Sequence, residues 1–264
     1  MKTADKRFVF RANAIGVAGQ ISRPETAVCM HGHSSLPVVG GYAQSNIKRT
    51  ELPQVFEFDS AWTQTTGDFS EREQAYKTLA TAWVKGLNVT NRLTADFLEA
   101  TLTSTQPIHG GHPSIVPTTI KIENLRLDGH PINVKVDTKL FTEHSTKESL
   151  SKAYEGDDDF HKNYGHRFHA SSNAPAAEAG GKRRIPEVAG YLHCSIVDDI
   201  KTDHPKVEID GHAIRLDGFG TIYLGEFLIT DISRRITVLR LKLGSPVAGD
   251  MACADVESNG SLII

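Results

Sequence analysis

Cysteine is scarce in this 264-residue chain. Cys29, Cys194 and Cys253 are too few and too scattered for a disulfide framework or a cysteine-rich zinc site. An excess of one charge is also missing: 29 Lys and Arg face 32 Asp and Glu, for a net charge of −3. That balance gives no electrostatic case for nucleic acid or an anionic membrane as partner. No apolar run approaches the roughly 20 residues that a transmembrane segment requires. The start is basic, but Phe8-Val9-Phe10 is followed by Arg11 and Asn13, so no signal peptide is expected. The protein is then cytosolic, or the sequence is that of a mature form. A G-x-S-x-G elbow is absent, and Gly218-Phe219-Gly220 lacks the rest of a nucleotide-binding fingerprint. What remains, 39% hydrophobic and 23% charged residues, is enough for a core and speaks against wholesale disorder.

Alternation of apolar and polar residues dominates what is there. Ile132, Val134 and Val136 alternate with polar residues, as do Leu98, Ala100 and Leu102, and Thr237, Leu239, Leu241 and Leu243. Around Glu123-Asn124 the alternation slips by one residue, as at a β-bulge. Asp-Gly pairs at Asp128-Gly129, Asp210-Gly211 and Asp217-Gly218 mark turns, and 207–214 reads as a tight hairpin of type I′. These patterns predict an all-β, mainly antiparallel fold, a β-sandwich or flattened barrel, formed by one domain over residues 1–264. One stretch reads otherwise. Tyr76, Leu79, Ala80, Trp83, Val84 and Leu87 fall on a helical stripe, so periodicity predicts a helix there.

Residues 139–186 form a polar, partly helical insertion in this reading. Ser145-Thr146-Lys147-Glu148 matches a capping box, with Ser145 as N-cap, and predicts a helix over 145–155 that buries Leu150 and Tyr154 and stops near Gly156. The Ala/Ser/Gly/Pro-rich stretch 170–184 reads as a surface loop. Between them lies the densest chemistry. Asp159, His161, His166 and His169 offer the imidazole and carboxylate ligands that zinc and other transition metals favour. The competing account is an aromatic stripe: Phe160, Tyr164 and Phe168, four apart, pin the segment to the sheet while the histidines face water. This is the better-supported alternative, and no cofactor is then required. A second metal candidate is His31 with His33, whose i, i+2 spacing puts both on one face of a strand.

Other groups read as structural. Cys194 beside His193 on a strand points away from it and reads as a small buried residue. Glu226 interrupts an apolar strand, as a buried acid of raised pKa or, preferred here, as an exposed carboxylate on the alternating face. The apolar end Ser261-Leu262-Ile263-Ile264 docks on its own sheet or on a neighbour's.

Gly86-Leu87-Asn88-Val89, Leu93-Thr94-Ala95-Asp96, the run Glu123 to Ile132, and Gly218 to Glu226 with Ile236 to Leu241 resemble motifs of the bacterial choice-of-anchor P family. The resemblance covers about half the chain, outside 139–186. It implies a β-sandwich-like secreted or surface protein with no established catalytic residues to carry over, and with 76–85 in a strand that ends at Gly86.

No pairing of nucleophile and base emerges, so the expected function is non-catalytic: a structural, self-assembling or ligand-binding β domain. Free sheet edges suit a homo-oligomer or assembly by strand addition. The alternatives are a metal-dependent enzyme using the insertion's histidines, and a β-rich toxin or pore former built on Ser/Thr-rich strands.

Overall fold

The computed structural model describes residues 7–24, 26–168, 184–188 and 190–263. Its first nine strands are β1 (Arg7–Arg23), β2 (Ala27–Ser35), β3 (Gly41–Leu52), β4 (Phe56–Ser70), β5 (Ala75–Val89), β6 (Leu93–Pro107), β7 (Ser114–Glu123), β8 (Arg126–Leu127) and β9 (His130–Val136). Three short helices follow: α1 (Lys139–Glu143), α2 (Lys147–Gly156) and α3 (Asp158–Tyr164). The chain then forms β10 (Glu187–Val188), β11 (Tyr191–Ser195), β12 (Val197–Thr202), β13 (Glu208–Asp210), β14 (Ala213–Leu216), β15 (Gly220–Ile229), β16 (Ser233–Leu243) and β17 (Ala248–Ile263).

Two antiparallel sheets pack face to face as a sandwich. One runs β10-β11-β15-β16-β17-β1-β2, and β14 lies beside β15 on the same edge as β11. The other runs β12-β9-β8-β6-β5-β4-β3, with β7 on β6. Both keep open edges, so no barrel closes among the described residues. Between the sheets small residues face one another: Ala12 and Ala14 on one side, Ala61, Ala80, Ala82 and Ala100 on the other, all 1% exposed or less. The layers are also joined by a buried hydrogen bond of 2.7 Å between the Thr78 and Ser258 hydroxyls. No helix among the described residues is long and apolar enough to cross a membrane.

A transverse crease crosses each sheet. In the first, Gly225, Val238, Ala254, Gly16 and Gly32 all drop out of the ladder, while the pairs on either side keep register, as in Leu224↔Leu239 and Glu226↔Thr237. Because every strand slips together, pairing survives, but each side chain beyond the line changes face. On β15 the inward residues are therefore Ile222 and Leu224, then Phe227 and Ile229. Arg49, Asp59, Gly86 and Asp96 form the matching line in the second sheet. Gly86 sits at φ 66°, and a Cβ there would collide with the Asp59 carboxylate.

Two departures from the sequence reading follow from strand faces. The stretch 76–87 is strand, not helix, and Gly86 lies inside β5 rather than ending it. The apparent helical stripe mixed two faces. Ala80, Ala82 and Val84 point inward, whereas Trp83 stays half-buried on the outer face against Trp62 and Phe97, with ring centroids 6.2 and 5.8 Å away. Likewise Thr237 does not share a face with buried Leu239, because the phase turns over at Val238.

The helices cover the inner face of β11, β15 and β16. Phe141 of α1 meets Phe227 at 4.7 Å between centroids. The cap of α2 is Thr146, one residue later than the capping box suggests: its hydroxyl accepts from the Ser149 amide, and Glu148 pairs instead with Lys152. Leu150 and Tyr154 are buried as expected, and Asp157 after Gly156 caps α3. Arg167 is 1% exposed and binds Asp137 Oδ2 at 2.8 Å, the Asp137 carbonyl at 2.7 Å and the Ser195 carbonyl at 3.0 Å. That clamp ties the helical segment to both sheets. At the other end of the chain, the backbone of 261–263 pairs with β1 of the same sheet.

Candidate metal centre

Four outward-facing side chains converge where β11 and β14 meet along the edge of β15. Glu226 follows directly on the crease glycine Gly225, whose φ of 62° turns the strand so that Phe227 goes inward and Glu226 outward. A Cβ at Gly225 would collide with Ile196, and its left-handed backbone disfavours any side chain. His193 comes from β11, whose alternation sends Leu192 and Cys194 inward. His212 is the second residue of the two-residue turn between β13 and β14. Gly211 has φ 58° and His212 has no positive φ, so the turn is of type II′ rather than the I′ expected from Asp-Gly. The Asp128-Gly129 turn, with φ 50° and 82°, does have the I′ form.

The His193 Nε2 lies 3.2 Å and the His212 Nε2 3.7 Å from the same oxygen, Glu226 Oε1, and one ligand atom from each of the three residues falls within 4.8 Å of the others. Donor atoms on a tetrahedral zinc, each about 2.0–2.1 Å from the ion, stand roughly 3.3–3.4 Å apart. The three groups are thus close enough to be candidate ligands of one ion. Arg240 on β16 holds the carboxylate from the far side, donating from Nη2 to Oε1 at 2.8 Å and from Nε to Oε2. Its guanidinium in turn lies 3.8 Å above the Tyr223 ring. Glu226 is only 7% exposed. Burial alone pushes its carboxyl up, but hydrogen bonds from Arg240 and His193, with the His212 imidazole close by, outweigh it and hold the group well below the usual carboxylate range. The preferred sequence expectation, an exposed Glu226, is thus corrected, and so is the alternative of a raised pKa.

The residues singled out in the sequence lie elsewhere. Asp159 is exposed on α3, the His161 ring packs on Tyr154 at 5.0 Å, and His166 Nε2 approaches Asp198 Oδ1 at 3.8 Å. His169 lies outside the described residues. Among the described residues these groups do not converge as ligands; the group that does is His193, His212 and Glu226. The aromatic stripe fits better: Phe160 and Phe168 are 6% and 7% exposed, although α3 tightens into a 3-10 turn at Gly165 instead of running through it. His31 and His33 do not share a face. The crease at Gly32 intervenes, so His31 packs on Phe56 and Phe58 while His33 is exposed. Burial lowers the His31 pKa. Cys194 is buried as read, its thiol donating to the Phe227 carbonyl at 3.3 Å and pushed up to about 12 by burial.

No short motif marks the cluster, because its three candidate ligands are 19 and 14 residues apart and meet only through strand order. The one signal in the sequence was a carboxylate breaking an apolar strand. No curated protein and no solved structure matches the chain. A family profile described as a domain of unknown function, DUF8256, matches residues 8–230. Covering most of the chain, that match places the protein in the DUF8256 family.

Proposed function

We propose that this β-sandwich binds a divalent first-row transition metal, zinc in the first instance, through His193, His212 and Glu226. The observation that carries the reading is the approach of both imidazole Nε2 atoms to one carboxylate oxygen at distances suited to a shared ion. Arg240 is the supporting residue that fixes the carboxylate. Two histidines and one glutamate leave a tetrahedral ion one further position, and the His193 side chain, 31% exposed, puts that position within reach of solvent. A metal so held activates water at neutral pH, so the reading extends to a metal-dependent hydrolytic enzyme. On this reading the metal chemistry belongs to the outer face of the first sheet and not to the insertion.

A second reading rests on Arg240. Its two hydrogen bonds already satisfy Glu226, an arrangement suited to a purely structural, self-assembling or ligand-binding β domain. The resemblance to choice-of-anchor P proteins supports a secreted or surface setting for either.

Cobalt(II) separates the two. The metal-free protein titrated with cobalt is expected to develop intense visible d–d absorption saturating at one equivalent, with loss of that absorption in His212→Ala. Uptake should weaken on acidification, since imidazoles bind metal only when unprotonated. A colourless titration in the wild type favours the structural reading.

A further inference from the structure

Beside the centre, on the same outer face, lies a groove of about 440 Å³. Its first wall is continuous with the ligands: Tyr191 is two residues before His193 on β11, so both point outward, and Leu228 is the cross-strand partner of His193. From there it runs across the strands, over β15, β16 and β17 to Arg11 on β1. Four strand spacings make that course about 19 Å long. We propose that this groove is the substrate channel of the metal centre, and that it takes an extended ligand with an apolar stem and a carboxylate end, the carboxylate seated on Arg11. This assignment rests on the metal reading above.

Three features select that chemistry. The end near His193 is apolar, and Tyr191 and Ile232, both 46% exposed, are the large hydrophobic side chains this groove leaves to solvent. Buried against an aliphatic or aromatic stem, they lose water contact favourably. At the far end the cations differ in commitment. Arg235 is spent on Asp255, with Nε 2.9 Å from Oδ1 and Nη2 on Oδ2. Arg11 forms no ion pair among the described residues, which leaves its fork of donors for a ligand's oxyanion. Glu257 shares this end of the groove, where it accepts from the Ser233 hydroxyl at 2.9 Å. A negative charge there penalises a dianion more than a monoanion, so a carboxylate fits better than a phosphate monoester.

The test uses zinc-loaded protein and three probes that share a metal-chelating hydroxamate: dodecanedioic acid monohydroxamate, its methyl ester, and the analogue ending in a phosphonate. The acid is expected to bind about 10-fold tighter than the ester, the size of one charge-assisted hydrogen bond. Arg11→Ala, an exposed position, should erase that preference while leaving ester binding and zinc content unchanged. Equal binding of acid and ester, or a preference that survives Arg11→Ala, overturns the channel while the metal centre stands. A phosphonate that binds tighter than the carboxylate overturns the monoanion assignment. Protein that takes up no zinc overturns the centre, and the channel with it.

Discussion

Arg167→Met is expected to lower the unfolding free energy by about 3–5 kcal/mol, the usual result of removing one partner from a buried ion pair. The guanidinium links the helical segment to both sheets at once: it holds Asp137 after β9, the Ser195 carbonyl at the end of β11, and lies 5.0 Å above the Phe141 ring of α1. Methionine keeps much of the volume but leaves two carbonyls and a carboxylate without their donor. Urea unfolding should show a lower midpoint with an unchanged slope. In an Arg167→Met background, Asp137→Ala should add little, because the coupling is already gone. Full additivity of the two changes would contradict the clamp.

Glu226→Gln carries the other large effect. Zinc affinity should fall by at least about 100-fold, the upper end of what even a supporting residue costs, because the only anionic ligand is lost. Without metal the change also costs about 3 kcal/mol near neutral pH, as Arg240 and two imidazoles lose a buried carboxylate partner. The pH dependence has a definite sign. The folded-state pKa of Glu226 lies below its ordinary value of 4.5, so its stabilisation is complete above that value and is lost as pH falls toward the folded one. The carboxylate's contribution to the gap between wild type and Glu226→Gln in chemical unfolding should therefore be complete above about pH 4.5 and shrink progressively as pH falls below it. A gap that widens on acidification would contradict the assignment.

The class of fold was legible in the sequence because period-2 alternation is a local signal. Leu98, Ala100 and Leu102 need only their own strand to declare an inward face, and the turns at Asp128-Gly129 and Gly211-His212 declare themselves by glycine. The crease was not legible. It is a property of neighbouring strands slipping together, five in the first sheet and four in the second, and within one strand it looks like a fault in the pattern. His31 and His33 were misplaced for the same reason. The centre was hidden one level further up. Glu226 attracted notice as a charge in an apolar strand, yet what buries it is Arg240 from β16 and imidazoles from β11 and the β13–β14 turn. Only the pairing of β15 with β11 and β14 on one edge brings those together.

The most direct measurement of the central claim is zinc stoichiometry by native mass spectrometry on the wild type, His193→Ala, His212→Ala and a control, His161→Ala with His166→Ala. The centre on the outer sheet face predicts one zinc per chain in the wild type and in the control, and none in either single variant. One zinc that persists in His193→Ala and His212→Ala but disappears from the control would contradict it, and would return the metal to the helical segment.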